Sequence, residues 1–586
     1  MLAPRLYLPF LFLSSCLPTS VMSQDKAPLR TGQKITPFTL KDTTGKDWAL
    51  SDTQAKVIVV LFLGTECPLN NLYMPRLGEL YQEFRGKGVG FVGINANQQD
   101  NPQRVAEHAR QHAIPFPVLK DAGNRVADQF GALRTPEVFL LDDQQVVRYR
   151  GRIDDQYGIG VQRPQAQRRD LAEALNEVLA GKPVSQAITE APGCLIGRLA
   201  APKENAQVTY FQHVAPILRR RCAECHRPGQ IGPMALLTYD AVAAWAGTME
   251  EVISENRMPP WHADPRHGKF QNDRRLSSEE KATLLAWVQQ GCAKGEGRDE
   301  PLPPEKNAAW LIGKPDQVFT MPEEVTIPAK AKGGIPYRYY IVPTNFEQDM
   351  WIQAAEARPG NRSVVHHILV YVRERGQPRS RTDGIGEGLL VAYAPGDDPL
   401  VLQPGVAKRI PKGAYIVFQM HYTPNGKEQQ DRSCVGIIFS KQPPERELKT
   451  RSVANPRFLI PPGADNYKVT SSTVFREDTI LYNFFPHMHL RGKSFVYEVV
   501  FPDGKRETLL VVPRYDFNWQ TTYTLAQPRK LPAGTRIECT AHFDNSENNP
   551  NNPNPKESVR WGDQTWEEMM IGFVDYAFDR PTGQKK

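Results

Sequence analysis

The apolar positions along the chain change their spacing twice, which divides it into three regimes. From 28 to 185, short continuous apolar runs alternate with amphipathic stretches. Val57 to Leu63 is apolar throughout, the pattern of a strand covered on both faces in a parallel sheet. A helical pattern follows from Pro68. Val89-Gly90-Phe91-Val92-Gly93-Ile94 reads as a second strand. Val138-Phe139-Leu140-Leu141, approached through Thr135-Pro136, reads as a third. Leu171, Leu175 and Val178 share one face of a closing helix. This regime predicts a layered α/β domain. Residues 186–206 read as a linker. Residues 207–294 read as helical with short loops, and Ser277 with Glu280 forms a capping box ahead of Leu284, Leu285, Trp287 and Val288. A Pro/Glu/Lys-rich linker spans 295–308. Beyond it, runs such as Tyr339-Tyr340-Ile341-Val342 and Ile368-Leu369-Val370-Tyr371-Val372 are broken by Pro, Gly and Asn. They predict two all-β sandwich domains, 309–445 and 446–580, with Asn545 to Pro555 as one long loop.

At the start, Arg5 precedes an apolar stretch from Leu6 to Leu13 that is too short to span a bilayer as a helix. It predicts an export signal over 1–23. Leu13-Ser14-Ser15-Cys16 reads as a lipobox that leaves a lipidated Cys16, and Val21-Met22-Ser23 reads as an ordinary cleavage site. The expected location is the periplasm, free or lipid-anchored at the cell envelope.

Composition narrows this picture. A chain of 586 residues exceeds a single core, and 40% hydrophobic with 23% charged residues is ordinary globular composition. The net charge of +7 comes without a dense Lys/Arg block, so nucleic acid is not an expected partner. There are eight cysteines. Cys16 falls in the signal and Cys222 and Cys225 in a motif of their own. Cys67, Cys194, Cys292, Cys434 and Cys539 remain, an odd number whose connectivity stays open.

Cys222-Ala223-Glu224-Cys225-His226 is the attachment signature for c-type haem. Two thiols at this spacing add to the haem vinyl groups, and the adjacent His supplies an axial nitrogen. The opposite axial ligand is expected to be Met258, in Arg257-Met258-Pro259-Pro260-Trp261. Met234, Met249, His262 and His267 are rivals. The segment resembles single-haem cytochrome c domains and implies one covalently bound haem c.

Of 12 histidines, five lie in three tight motifs: His366-His367, His421, and His487-Met488-His489. Alternate strand residues share a face, so His487 and His489 can chelate one ion. His366 and His367 point to opposite faces of a regular strand, and binding one ion together requires a twist or bulge there. Imidazoles suit several metals, and a thioether from Met569 or Met570 tips the choice towards copper.

In order and rough spacing, these motifs resemble the copper type II, ascorbate-dependent monooxygenases, the family of peptidylglycine α-hydroxylating and dopamine β-monooxygenases. The resemblance covers about 310–580 and rests on Val365-His366-His367-Ile368-Leu369, Gln419-Met420-His421-Tyr422, His487-Met488-His489-Leu490-Arg491-Gly492-Lys493 and Glu567-Glu568-Met569. It implies jelly-roll-type sandwiches and two well-separated copper ions. His366, His367 and His421 would hold the electron-transferring copper. His487, His489 and Met569 would hold the copper at which oxygen is activated. The chain departs from the animal enzymes at Met570, which stands where they carry a Cys, so Cys539 lacks that partner.

Residues 28–185 resemble the redoxin/thioredoxin superfamily. Cys67 follows the first core strand and opens a helix, where the helix dipole favours a thiolate, and Thr135-Pro136 matches the family's cis-Pro position. Cys67-Pro68-Leu69-Asn70 has Asn where a dithiol enzyme has its second Cys, and Thr65 lies two rather than three residues before Cys67. Cys67 is thus expected as a single redox thiol, or the domain as a docking scaffold.

Together these readings describe a multidomain chain: a thioredoxin-like α/β domain, a small all-α cytochrome c domain and two jelly-roll-type β domains. The expected activity is that of a copper-dependent monooxygenase, an oxidoreductase hydroxylating a C–H bond with O2. Electrons would come from an ascorbate-like reductant or a redox protein through the cytochrome. Two alternatives remain, a non-catalytic copper-handling or electron-transfer protein and a degenerate binding module on the same scaffold. The substrate, small molecule or peptide, and the oligomeric state are open.

Overall fold

A computed structural model describes residues 31–163, 165–228, 230–299, 310–331, 334–374 and 387–581. The signal segment and Cys16 lie outside the described residues. Among the described residues no helix is long and apolar enough to cross a membrane.

The N-terminal domain is built on a seven-stranded mixed sheet. Its inner strand Val57–Phe62 runs parallel to Val89–Asn95 and antiparallel to Glu137–Leu141. All six of its residues are buried. Val57, Val59 and Leu61 enter one apolar core with the helices Pro68–Phe84 and Asp170–Leu179. Ile58, Val60 and Phe62 enter a second core on the other face with Val126, Ala127 and Phe130 of the helix Arg125–Phe130. The uninterrupted apolar run thus reflects a strand covered on both sides.

The segment expected to be a linker is part of this fold. Cys194–Leu195 pairs antiparallel with Arg134–Thr135, and Ile188 bridges to Arg150. The same stretch reaches the helical domain through Leu195 N, which donates to Thr248 Oγ1 at 3.2 Å. Arg134 pairs alongside with Glu251 at 2.7 Å.

The helical domain packs Ala215–Arg221, Tyr239–Ala244, Ala246–Ser254 and Ser278–Gln289 around Leu218, Trp245, Met249, Leu284 and Trp287. The Ser277/Glu280 capping box is formed. This domain is not a separate bead. Trp261, Ala263 and Phe270 leave it and enter the core of the second β domain, where Trp261 and Phe270 lie 5.0 and 5.5 Å from the Tyr523 ring. Gln271 N donates to Thr524 O and Ala526 N to Lys269 O, so the strap is also stitched by backbone.

Each β domain is a two-sheet sandwich. In the first, the sheet containing Met350–Arg358 faces a four-stranded sheet of Arg338–Pro343, Tyr415–Tyr422, Val365–Arg373 and Leu389–Tyr393. In the second, Lys449–Ala454, Ile571–Phe578, Thr479–His487 and Tyr523–Leu531 face Tyr467–Val474, Arg536–Phe543, Gly492–Val500 and Arg506–Val512. Arg446–Glu447 still pairs within the first sandwich and Lys449–Ala454 within the second, so the boundary falls at Leu448. The two four-stranded sheets that carry the histidine motifs meet across an apolar seam of Leu369, Tyr371, Leu389, Phe485, Met569, Ile571 and Phe573. Lys408 crosses the same joint, donating to Leu389 O and Thr450 Oγ1 beside Asp575.

Candidate metal and redox sites

Period-two alternation explains how the histidines converge. On Val365–Arg373, Ile368 and Val370 enter the sandwich core while Leu369 and Tyr371 enter the seam, which puts His367 on the seam side. On Thr479–His487, Phe484 enters the core and Phe485 the seam, so His487 also faces the seam. The register on Tyr415–Tyr422 shifts between Val365 and His367. This irregularity lets His366 turn to the same side, and the Nδ1 atoms of His366 and His367 lie 3.2 Å apart. Two nitrogens on one tetrahedral ion, each at ~2.0 Å, stand roughly this far apart. Ligand atoms of His366, His367 and His421 all lie within 4.8 Å of one another.

The second pair sits beside them. The His487 and His489 rings are 5.2 Å apart between centroids. His487 Nδ1 donates to Gln520 Oε1 at 2.6 Å and His489 Nδ1 to Glu567 O at 3.2 Å. Each bond fixes the ring and leaves Nε2 as the ligating nitrogen, the usual outer-shell arrangement of metal-bound His. The ladder ends at the His487–Ile571 pair, and His489 and Met569 each lie two residues beyond that end. Met569 lies in the seam, whereas Met570 is buried in the sandwich core. Of the two methionines, the seam residue is the one on the histidine side.

The buried donors fit a metal. His421 Nδ1 and His489 Nε2 are buried without a hydrogen-bond partner, a costly state that ligation relieves; the buried Nε2 atoms of His366 and His367, whose Nδ1 atoms face one another, also lack a partner. Burial holds His366 and His487 at about 4 and His489 at about 3, and keeps His367 and His421 well below the ordinary histidine value. All five rings are therefore neutral at pH 7, with lone pairs free.

The two groups are not well separated, in contrast to what the resemblance implies. The His367 and His487 rings are 6.4 Å apart, and Gln520 spans them, its Nε2 3.5 Å from His367 Nδ1. The seam below and the 515–520 segment above hold the sheets together. Phe517 stacks on His366 at 5.0 Å and meets His421 and His489. Tyr337 closes another side, 4.8 Å from His421. A cavity of about 280 Å³ opens beside His366, His421 and Phe517. Its far wall comes from the N-terminal domain: Leu69, Leu72, Tyr157 and Val161.

In the helical domain, Cys222 caps the helix Ala215–Arg221, and the amides of Cys225 and His226 both donate to Cys222 O. His226 Nδ1 bonds to Met234 O at 3.2 Å, which leaves Nε2 as the nitrogen for any ligation. Gly232 passes so close that a Cβ there would lie 2.7 Å from His226 Nδ1. Burial pushes the Cys222 thiol up to about 12 and Cys225 upward as well. Met258 lies in the loop that leads into the strap, outside the core that takes up Met234 and Met249. The structure brings Cys222, Cys225 and His226 into one turn, an arrangement that fits covalent haem. Trp261 Nε1 and His262 Nε2, just after Met258, are buried and unpartnered.

In the N-terminal domain, Cys67 caps the helix Pro68–Phe84 and is buried. Its Sγ lies 2.9 Å from Thr135 O, and the Thr135-Pro136 peptide is cis. Burial opposes a Cys67 thiolate, but hydrogen bonds from the Cys194 thiol, the Asn70 and Cys194 amides and the Thr135 hydroxyl outweigh it and bring Cys67 to about 6. The bond to Cys67, then burial, pushes Cys194 well up. Residues 31–150 match the AhpC/TSA family.

The chain belongs to this family through its N-terminal domain. It is 32% identical over 124 residues to the thiol-disulfide oxidoreductase ResA of Bacillus thuringiensis (strain Al Hakam), covering 21% of this chain and 70% of that one. Against ResA of Halalkalibacterium halodurans it is 29% identical, covering 20% of this chain and 66% of that one, slightly under two thirds. The solved structure of an uncharacterized conserved protein from Geobacillus kaustophilus is 29% identical, covering 28% of this chain and 91% of that chain at a TM-score of 0.26. The N-terminal domain is thus a thioredoxin-like redoxin domain of the thiol-disulfide oxidoreductase kind.

Sequence reasoning missed several residues of these sites. Cys194 falls in the segment read as a linker, and the odd count of five remaining cysteines leaves its pairing open. Phe517, Gln520 and Tyr337 carry no local signal, since they become neighbours of the histidines only through the packing of two sandwiches.

Proposed function

We propose that the chain is an exported copper- and haem-dependent monooxygenase, hydroxylating a C–H bond of a substrate bound in the cavity beside His366 and His421. The observation that supports this best is the convergence of five neutral histidines, four of them buried, next to that cavity. When bound, two copper ions supply electron storage and O2 activation, and a haem c supplies one-electron transfer from an ascorbate-like reductant or a redox protein.

The residues of the chain have distinct tasks. His366, His367 and His421 hold one copper. His487, His489 and Met569 hold the other, and the soft thioether favours copper over zinc. Gln520 and the Glu567 carbonyl fix the tautomers of His487 and His489. Phe517 and Tyr337 cover the histidines and keep water from them. Leu69, Leu72 and Val161 offer an apolar wall, so the redoxin domain shapes the substrate site. Cys222 and Cys225 would attach the haem, and His226 and Met258 would ligate it. The strap through Trp261 ties that domain to the sandwich bearing His487, so the tether keeps donor and acceptor at high effective concentration.

The copper-to-haem ratio of the exported, copper-loaded protein tests this reading. Two coppers per haem are expected. Met569→Ala should abolish hydroxylation while the haem spectrum stays intact. One copper or none, or hydroxylation retained in Met569→Ala, overturns the assignment. The rival, a copper-handling or electron-transfer protein, predicts no O2 consumption with reductant and substrate.

A further inference from the structure

The chain carries a thiol pair that its sequence spacing conceals. Cys67 and Cys194 are 127 positions apart, yet both meet at Thr135. Cys67 Sγ lies 2.9 Å from Thr135 O. Cys194 is the registered strand partner of Thr135, and Leu195 of Arg134. Next to it, the Gly193 backbone runs so close that a Cβ would sit 2.1 Å from that same Thr135 oxygen, which is why a glycine with φ +135° stands there. The strand edge beside Pro136 is where an extended cysteine-bearing peptide would add by backbone pairing. Here the chain's own Gly193-Cys194-Leu195 takes that place. Cys67 is buried, whereas Cys194 is only partly buried.

We propose that Cys67 and Cys194 form a reversible two-electron redox couple, closing to an intramolecular disulfide and exchanging with the disulfides or dithiols of an external partner. This goes beyond the copper and haem reading and does not depend on it. Oxidation by a disulfide donor balances as follows. The donor S–S bond breaks as Cys194 takes up one half in a mixed disulfide, and the first donor thiol leaves with a proton. The Cys67 sulfur then attacks Cys194 Sγ, the Cys67–Cys194 bond forms, and the second donor thiol leaves. Two protein thiols lose two electrons and two protons, and one donor disulfide gains them. The reverse sequence reduces a partner disulfide. The Asn at position 70 therefore does not limit the domain to one thiol, because its second thiol arrives from beyond the sheet.

The test uses the full-length protein, equilibrated in glutathione buffers from fully reduced to fully oxidised. Acid quenching, alkylation and peptide mapping then follow. Expected is a Cys67–Cys194 cross-linked peptide that rises in oxidised buffer and disappears in reduced buffer. In Cys67→Ser the reaction should stop at a Cys194–glutathione adduct. Complete alkylation of both cysteines of the folded wild type in oxidised buffer overturns the proposal, as does a cross-link from Cys67 to any other cysteine. The wild-type map decides the matter even if the variant fails to fold.

Discussion

Trp261 is the residue through which the helical domain is anchored in the second sandwich, and truncating it to Ala tests whether the two unfold as one unit. Trp261 is 7% exposed and sits with Ala263 and Phe270 among the core residues of the other domain. A Trp buried to this degree removes roughly 150–250 Å² from water, about 4–6 kcal/mol at 25 cal/mol per Å². Measured truncations of buried aromatics cost about 3–5 kcal/mol, and the lower half of that range applies here because the indole Nε1 is unpartnered and its loss recovers part of the cost. We therefore expect about 3 kcal/mol for Trp261→Ala and much less for Trp261→Phe. At about 2–4 °C per kcal/mol for a unit of 150–250 residues, the Ala variant should melt roughly 10 °C lower. Calorimetry, with the absorption band of the haem proposed for the helical domain followed in parallel, reads both domains. That band and the calorimetric peak of the sandwich should shift together. A variant whose sandwich melts at the parent temperature while only the helical domain shifts would falsify the strap as a structural tie.

Two further outcomes follow from the same geometry. Burial first, then Asp398, raises Asp397 to about 7 against the opposing pull of Arg274 and the Thr522 amide. The folded state holds this proton where the unfolded chain has lost it. Its stabilisation is thus complete below about 3.8 and lost as pH rises through about 7, on the order of 4 kcal/mol at 1.36 kcal/mol per unit. Urea unfolding at pH 4 and pH 8 should show a flatter dependence for Asp397→Asn, and an unchanged slope would sink the idea. In Gly232→Ala the new methyl lies 2.6 Å from Cys225 O, an overpacking of about 1–3 kcal/mol. If the proposed haem is held there, haem per protein should drop while any copper bound by the sandwiches is unchanged, and full haem incorporation would show that the turn can yield.

The parts of the molecule legible beforehand were those whose signal is local. The continuous run at Val57 and the Ser277/Glu280 box each appear in the structure as expected, because burial on both faces and helix capping are written into neighbouring residues. The need for a bulge at His366-His367 also followed from strand geometry, and the register shift lies there. What escaped was set by distant pairing. Cys194 faces Cys67 only because a strand of two residues returns to Thr135. Gln520 reaches His487 and His367 only because two sandwiches share a seam. The boundaries drawn at composition shifts likewise missed Trp261 and Phe270, whose apolar character is spent in a neighbour's core rather than in their own.

The seam of seven apolar side chains beneath the histidines also works as a gauge. It sets the gap between two sheets, and His366, His367, His421 and His487 ride on those sheets, with His489 two residues past a strand end. Any slimming of Leu369, Phe485 or Phe573 changes that gap for both groups at once. The two sites cannot be retuned separately from below, so adjustments confined to one of them must come from above, through Phe517, Gln520 or Tyr337.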